Sequence, residues 1–351
     1  MEQINDATIQ LRVREIIVES YDVKTFVFEK IDGGKLAYEA GQFLTFLIHL
    51  HGHEVRRSYS MSSAPDVDDY PSITVKRVPN GEISRFWIDF VRVDDVFVTL
   101  LPSGRFTLDK SVGEPRDIVL IGAGSGITPL FSILKDVLTS QNDSKVTLIY
   151  ANRHEKSTLF MAQIQDWALR FPEKLKVVHI HSQPSGEWNG IRGRINNTRL
   201  EQMIDGTLAY SRKNARFFIC GPFELMRSAE ITLHYMGFGK EQIRRENFVI
   251  RSAPPVDKVE LPHHIGLIFK NSRYHLYVPE DKTILQAALD AGISLPYSCK
   301  GGGCATCAGV CKSGKVHMTI NDVLTDGDLD QGWILTCTAY PQDDNVVIEI
   351  K

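Results

Sequence analysis

Residues 299–307 read Cys299-Lys300-Gly301-Gly302-Gly303-Cys304-Ala305-Thr306-Cys307, and Cys337 follows thirty residues later in the run WILTC. C-x4-C-x2-C with a distant fourth cysteine is the plant-type spacing for a 2Fe–2S cluster. Four thiolates must converge on two irons, and the chain between them must pass close to the bridging sulfides. Gly301, Gly302 and Gly303 permit that approach, and their amides are spaced to donate to sulfur. Zinc is the competing reading, because four cysteines also suit that ion; structural zinc sites usually draw on paired C-x2-C knuckles, and here there is one such pair. Cys311 lies outside the pattern and reads as a small buried residue. Five of the six cysteines fall between Cys299 and Cys337, which points to metal or redox chemistry rather than disulfide staples.

Working outward, the loop belongs to a small α+β unit. HIGLIFK (264–270) and RYHLYVP (273–279) read as a hairpin, TILQAALDAG (283–292) as a short helix, and VVIEI (346–350) as a closing strand. Before it, residues 251–262 hold three prolines and little apolar material, which marks a linker. Residues 113–250 alternate strand-like runs (DIVLIG, KVTLIY, LKVVHIH, RFFIC) with helical stretches over 129–138, 156–170 and 222–236. In the last of these Leu225, Ala229, Leu233 and Met236 share a face. That alternation predicts a parallel sheet with crossover helices. Residues 1–112 carry short runs of β-branched and aromatic residues (LRVREIIVE, VKTFVFEK, QFLTFLIHL, SITVKRV, DVFVTLL) divided by turn clusters, the pattern of an antiparallel β-barrel. The expected organisation is a barrel at 1–112, an α/β domain at 113–250, a linker at 251–262 and the cysteine-bearing domain at 263–351.

Composition narrows the function. With 43% hydrophobic and 24% charged residues the chain is globular, and its net charge of −3 argues against nucleic acid as a partner. No run approaches the roughly 20 apolar residues that cross a bilayer, and no basic start leads into an apolar stretch. The expectation is a cytoplasmic protein that does not engage a membrane. From His263 onward seven Lys/Arg stand against ten Asp/Glu, with Asp322, Asp326, Asp328 and Asp330 close together. This is either an acidic docking face or a solvated loop.

Two further regions carry chemistry. Arg57-Ser58-Tyr59-Ser60 closes part of the β-rich segment and suits a flavin, with a cation for a diphosphate, a ring beside the isoalloxazine and a hydroxyl for its N5. Asn80-Gly81-Glu82-Ile83-Ser84 opens the helical ISRFWIDF, and a glycine turn at a helix start offers free amides to phosphate. Gly122-Ala123-Gly124-Ser125-Gly126-Ile127-Thr128-Pro129 lies between a strand and a helix, where a dinucleotide pyrophosphate would rest, although it is not G-x-G-x-x-G. Cys220-Gly221-Pro222 stands at the end of the strand-like RFFIC, before another helix, where a residue at a strand's carboxyl end faces the ligand crevice, and Glu246-Asn247-Phe248 closes the segment. Each motif also has a plainer reading, as strand end, helix cap or core residue; their order along the chain gives them weight.

In that order, R-x-Y-S, G-x-x-S, G-A-G-S-G-I-T-P, C-G-P and E-x-F resemble the ferredoxin–NADP reductase superfamily, here followed by a ferredoxin-like domain of β-grasp type. Within it the chain is similar to oxygenase reductases of the phenylacetyl-CoA epoxidase type. The resemblance covers nearly the whole chain. It implies FAD contacts at Arg57, Ser58, Tyr59, Ser60, Val75, Gly81, Glu82, Ile83 and Ser84, and a nicotinamide nucleotide held by Gly122, Gly124, Gly126 and Thr128. It places Cys220, Gly221 and Pro222 near the nicotinamide and Phe248 near the flavin. Ser60, Cys220 and Glu246 are the implied catalytic residues, and Cys299, Cys304, Cys307 and Cys337 the implied iron ligands. The implied activity is hydride transfer from NADPH or NADH to FAD, then single electrons through the cluster to a protein acceptor, an oxygenase component. Reduction of a haem protein or small acceptor, or redox sensing, are the alternatives. Asn80 departs from the glycine of many relatives, but asparagine tolerates left-handed geometry. NADPH is favoured because the run His181-Ser182-Gln183-Pro184-Ser185 lacks an acidic residue, while Arg153, Arg192 and Arg194 are available for a 2′-phosphate.

Overall fold

In the computed structural model, which describes residues 8–109, 113–140, 143–248 and 261–350, the strands between Thr8 and Leu100 form one antiparallel sheet. Its strands are β1 (Thr8–Ser20), β2 (Val23–Lys30), β3 (Phe43–Leu50), β4 (His53–Ser60), β5 (Ser72–Lys76) and β6 (Val96–Leu100), in the order β4-β3-β6-β1-β2-β5. The sheet curls until its edges meet. Met61, just past β4, bridges Ile73 of β5, and the Ser62 amide donates to the Ser72 carbonyl at 2.9 Å. Helix α1 (Glu82–Asp89) plugs the interior with Trp87, which is 0% exposed and lies 4.9, 4.9 and 4.6 Å from the rings of Phe26, Phe46 and Phe97. Burying aromatic side chains on this scale is worth about 1.5–3 kcal/mol each. Strand β4 is the one apolar patterning does not announce. HEVRRSYS is mostly polar, and full pairing with β3 holds it, from Phe43↔Ser60 to Leu50↔His53.

The next part is a parallel sheet of β7 (Asp117–Ala123), β8 (Lys145–Asn152), β9 (Leu175–His181), β10 (Ile191–Arg192), β11 (Ala215–Cys220) and β12 (Ile243–Glu246), in the order β10-β9-β8-β7-β11-β12. Alternation along β7 sorts its side chains. Ile118 and Leu120 pack with α2 (Ile127–Ser140) and α3 (Met161–Arg170), whereas Val119 and Ile121 pack with α4 (Asn197–Asp205) and α5 (Phe223–Tyr235). The buried stripe of α5 is Met226, Ala229, Thr232 and Leu233. It lies one position round from the expected Leu225 face, and Leu225 and Met236 pack at its margin. The chain winds outward from β7 to β10 and returns to β11 on the other side of β7. The crevice beyond the carboxyl ends of β7 and β11 is therefore the topological switch point, where such sheets take ligands.

Barrel and parallel sheet share a compact unit, Met1–Pro102 with Phe106–Arg245. Ser132 of α2 donates to the Ser63 carbonyl at 2.5 Å, and Lys135 pairs with Asp68, which also accepts from the Ala64 amide.

The second unit, Ser103–Arg105 with Glu246–Lys351, holds β13 (His263–Phe269), β14 (Ser272–Val278), α6 (Ile284–Asp290), β15 (Ala308–Ser313), β16 (Val316–Met318), α7 (Asp326–Asp330), β17 (Trp333–Leu335), β18 (Ala339–Pro341) and β19 (Val347–Ile350). The main sheet runs β14-β13-β19-β15-β17, with β13 and β19 parallel, and β16 pairs with β18. A hairpin, a helix and a returning central strand make the β-grasp arrangement. Ile284, Leu285 and Ala288 of α6 pack on Ile265, Leu267, Leu276 and Ile348. Most of the expected linker, residues 251–260, lies outside the described residues, as does the expected domain end at 250.

Candidate functional site

Two of the three candidate sites lie at strand ends and the turns that follow them; the third is the loop between α6 and β15. In the cysteine loop, Lys300, Gly302 and Ala305 have φ of 52°, 75° and 58°, so the chain doubles back tightly between the thiols. A Cβ on Gly302 would sit 2.8 Å from the Ile320 carbonyl oxygen, while the space beside Gly303 is open. The Gly301 amide donates to Cys299 Sγ at 3.4 Å. Cys299 neighbours Cys304 and Cys337, and Cys307 neighbours Cys337, so the four thiols influence one another. Those contacts hold the Cys299 and Cys307 thiols down and push Cys304 and Cys337 up. WILTC is anchored by the pairing of Ala308 with Leu335 and by Thr336 Oγ1 donating to the Cys307 carbonyl at 2.9 Å. Cys311, expected to be buried, is half-buried, and its thiol donates to the Ser313 carbonyl at 3.1 Å. The β15 bulge between Cys311 and Ser313 exposes it.

The flavin-type residues lie at the end of β4 and the start of α1. Arg57 is exposed, Tyr59 packs edge-on to Phe46 and Trp87, and Ser60 is buried. Burial pushes the Tyr59 hydroxyl well above the usual tyrosine range, so it stays protonated. Ser58 bonds Thr45 across the hairpin at 2.9 Å. Ser84 Oγ accepts from the Val78 amide at 3.0 Å and donates to the Gly81 carbonyl at 3.2 Å, which closes the turn before α1. A Cβ on Gly81 would come within 2.6 Å of that oxygen, and Asn80 does adopt the left-handed region, at φ 61°. Trp87 thus joins Tyr59 to the helix whose first turn would face phosphate. Glu82 is exposed, while Ile83 and Val75 are buried in the barrel core, so any contact they make with a bound group is through the main chain.

At the switch point, Gly124–Gly126 forms a single 3₁₀ turn into α2. Gly124 has φ 56° with open space where a Cβ would project; Gly126 packs so closely that a Cβ would lie 2.2 Å from the Cys220 carbonyl oxygen. Gly122 pairs with Cys220 across β7 and β11, and Gly221 has φ 159°. The Cys220 side chain is fully buried in the core on the α2 side; its carbonyl is what lies against the glycine turn. Thr128 Oγ1 donates to the Ser125 carbonyl at 3.1 Å. Tyr150, which the sequence gives no reason to single out beyond a hydroxyl ending an apolar strand, donates to the Gly124 carbonyl at 2.9 Å and pins the turn from beneath. Glu246 closes β12 and is buried, and Phe248 is half exposed. Arg192 donates to the Ser185, Gly186 and Trp188 carbonyls and so holds the loop after β9, while Arg153 and Arg194 are exposed. The open space above Gly124, the free helix starts and the thiol cage fit a dinucleotide, a flavin diphosphate and a cluster respectively.

The chain matches three families: an oxidoreductase FAD-binding domain over residues 10–108, an oxidoreductase NAD-binding domain over 120–230 and a 2Fe–2S iron–sulfur cluster binding domain over 268–342. It is 34% identical to the ferredoxin reductase component of 3-ketosteroid-9-alpha-monooxygenase from Mycolicibacterium smegmatis, covering 99% of this chain and 98% of that one. It is 32% identical to one of the subunits of 1,2-phenylacetyl-CoA epoxidase from Escherichia coli, covering 97% and 96%. The solved structure of phthalate dioxygenase reductase superposes with a TM-score of 0.61 at 22% identity, covering 98% of both chains. The cysteine loop therefore lies in a 2Fe–2S domain and not in a zinc site.

Proposed function

The chain belongs to the family of oxidoreductases that join FAD-binding, NAD-binding and 2Fe–2S domains as reductase components, and from that premise we propose that it delivers electrons from NAD(P)H to the oxygenase component of a two-protein system. The observation that carries this reading is the placement of a dinucleotide turn, a flavin-type strand end and a thiol cage on one chain. We assign FAD to residues 1–112, the nucleotide to 113–250, a linker to 251–262 and the cluster to 263–351; the three matched ranges fall inside these bounds.

When bound, FAD accepts electrons in pairs and gives them up singly, and the cluster carries one at a time. The chain's own residues supply binding and order. Arg57 and the first turn of α1 would hold the diphosphate, Tyr59 would flank the ring system, and Ser60 Oγ would offer a hydrogen bond at its reacting edge. The Gly122–Gly126 turn and Thr128 would hold the nucleotide diphosphate, with Cys220 and Gly221 forming the floor beneath the nicotinamide. Glu246 is the carboxylate that the resemblance associates with hydride transfer. Cys299, Cys304, Cys307 and Cys337 would hold the irons. Arg153 and Arg194 support NADPH over NADH, and the ratio of kcat/KM for the two tests that choice. All six cysteines are free, which suits a reducing cytoplasm, and no helix among the described residues is long and apolar enough to cross a membrane. The partner we favour is an oxygenase of the class named for these relatives, phenylacetyl-CoA epoxidase among them.

Anaerobic stopped-flow mixing with NADPH tests the reading. Flavin absorbance falls first and cluster absorbance follows; a flavin that stays oxidised with NADPH and with NADH would sink it.

A further inference from the structure

Oxidising one NAD(P)H to NAD(P)⁺ releases two electrons and one proton. Two one-electron acceptors, oxidised 2Fe–2S centres, take the electrons only, so each turnover leaves one proton to be carried away. Beside the R-x-Y-S strand end the barrel holds a chain of buried hydroxyls. Ser62 Oγ lies 2.9 Å from Thr74 Oγ1, Thr74 Oγ1 lies 2.8 Å from Thr25 Oγ1, and Thr25 Oγ1 donates to the half-buried Glu19 carboxylate at 2.8 Å. Ser72 Oγ joins at 3.1 Å from Ser62 Oγ. Ser62, Thr74 and Thr25 are all buried, whereas Glu19 reaches solvent.

The polarity of this chain is fixed by its end. An ionised carboxylate only accepts, so Thr25 must donate to Glu19. Thr25 can then only accept from Thr74, and Thr74 from Ser62. Ser62 has a second acceptor in the Ser72 carbonyl at 3.4 Å; donating instead to Thr74 at the shorter 2.9 Å, it completes a run of O–H bonds that points towards Glu19, the arrangement a proton relay requires. Cross-strand threonine pairs commonly serve the sheet alone; four groups in series with one direction, ending on a carboxylate, go beyond that. Ser62 lies two residues beyond Ser60, past the end of β4 and across the Met61 bridge to β5, and residues two apart in extended chain lie on one face. At about 3.3 Å per residue the two Cβ atoms stand roughly 6.6 Å apart, the span of one bridging water.

We propose that Ser62, Thr74, Thr25 and Glu19 form the exit path for the proton released at the flavin, a reading that rests on the flavin site assigned at Arg57–Ser60. A proton arriving at Ser62 Oγ forms one O–H bond there as the original O–H proton passes to Thr74. The same exchange repeats at Thr74 and Thr25. Glu19 receives the last proton and releases it to water, and no electrons move along this path.

The test uses the full-length holoprotein and the variants Thr74→Val, Thr74→Ser and Glu19→Gln. Bound FAD is measured first from its visible absorbance. If the wild type binds no FAD, the flavin assignment fails; if it binds FAD, the relay stands or falls by itself. With FAD content unchanged, Thr74→Val is expected to slow reoxidation of the reduced protein by ferricyanide about a hundredfold, the lower end for losing a proton-transfer group. Thr74→Ser restores the rate, and the solvent deuterium isotope effect changes with the valine. A second readout does not depend on the steady-state rate: time-resolved infrared spectra of the wild type after oxidation show a transient carboxylic-acid band that Glu19→Gln removes. Thr74→Val with full FAD, an unchanged rate and an unchanged isotope effect would overturn the relay, as would an infrared band that survives in Glu19→Gln. Should Thr74→Val fail to hold FAD, the Glu19→Gln spectrum decides alone.

Discussion

Single side chains set the chemistry. Cys337, the proposed ligand that comes from the separate strand end of β17, gives a direct test: Cys337→Ser should abolish the cluster's visible absorbance while leaving FAD bound. Outer-sphere partners of metal ligands cost about 10–100-fold when lost, so losing a ligand should reduce electron delivery to cytochrome c at least that much. Reduction of ferricyanide directly from the flavin should persist; equal loss of both activities would contradict the assignment. Tyr150→Phe removes the hydrogen bond beneath the Gly124 turn. It should lower stability by about 1 kcal/mol and raise KM for the nucleotide with little change in kcat, measured by urea titration and steady-state kinetics. The cysteine spacing was legible because only one cluster type uses it, and the Gly122–Gly126 turn because glycine at such density has few other uses. Tyr150 was not legible, since its role depends on a carbonyl twenty-six residues away in sequence that only the parallel pairing of β7 and β8 brings near. Cys220 was legible as a strand end but not as a buried thiol, because which face a strand-end residue takes follows from the helix packed against it.

At the scale of elements, the apolar strands and long helices follow from periodicity. Strand β4 does not, because most of its side chains are polar; its pairing with β3 and the packing of Val55 and Tyr59 on the barrel core keep it in the sheet. Helix α5 shows a finer limit. Two apolar stripes one position apart fit the sequence, and packing on β11 selects Met226 over Leu225. Strand β9 carries a prediction of its own. Burial, and then the neighbouring His181, push His179 down to about 4, and burial lowers His181, whose Nε2 bonds Thr158 Oγ1 at 2.9 Å. Glu155 pulls His181 the other way and His154 adds to the lowering. In the unfolded chain both would titrate near pH 6.5, so between about 4 and 6.5 the unfolded state binds more protons. The stability these residues contribute is complete above pH 6.5 and is lost as pH falls towards about 4. A series of Tm values from pH 7.5 to 4 should slope downward, and His179→Phe should flatten it; an unchanged slope would show that the acid sensitivity arises elsewhere.

Taken whole, the chain divides its work among modules that the sequence separates by rhythm: alternation in the barrel, strand–helix repetition in the parallel sheet, and a cysteine loop inside a β-grasp. What joins barrel to parallel sheet was not legible. The Lys135–Asp68 pair involves one residue inside an amphipathic helix and one in a polar loop, neither unusual in its own setting. Lys135 is buried and Asp68 is partly exposed, so the two partners are not equivalent. Asp68→Ala leaves a buried cation without its counter-charge and should cost about 1–3 kcal/mol, whereas Lys135→Met removes the charge itself and should cost less. Urea midpoints for the two variants provide the comparison, and a larger loss for Lys135→Met would mean that packing outweighs charge at this seam.

The position of β19 has a consequence for how the protein is made. That strand lies between β13 and β15 in the middle of its sheet, yet it follows the cysteine loop by about forty residues of chain. During synthesis the four thiols emerge while the sheet beneath them is still in two halves. Iron loading therefore belongs after translation has passed residue 350, and a stalled ribosome would present a cysteine loop open to oxidants and with no sheet to hold its cluster.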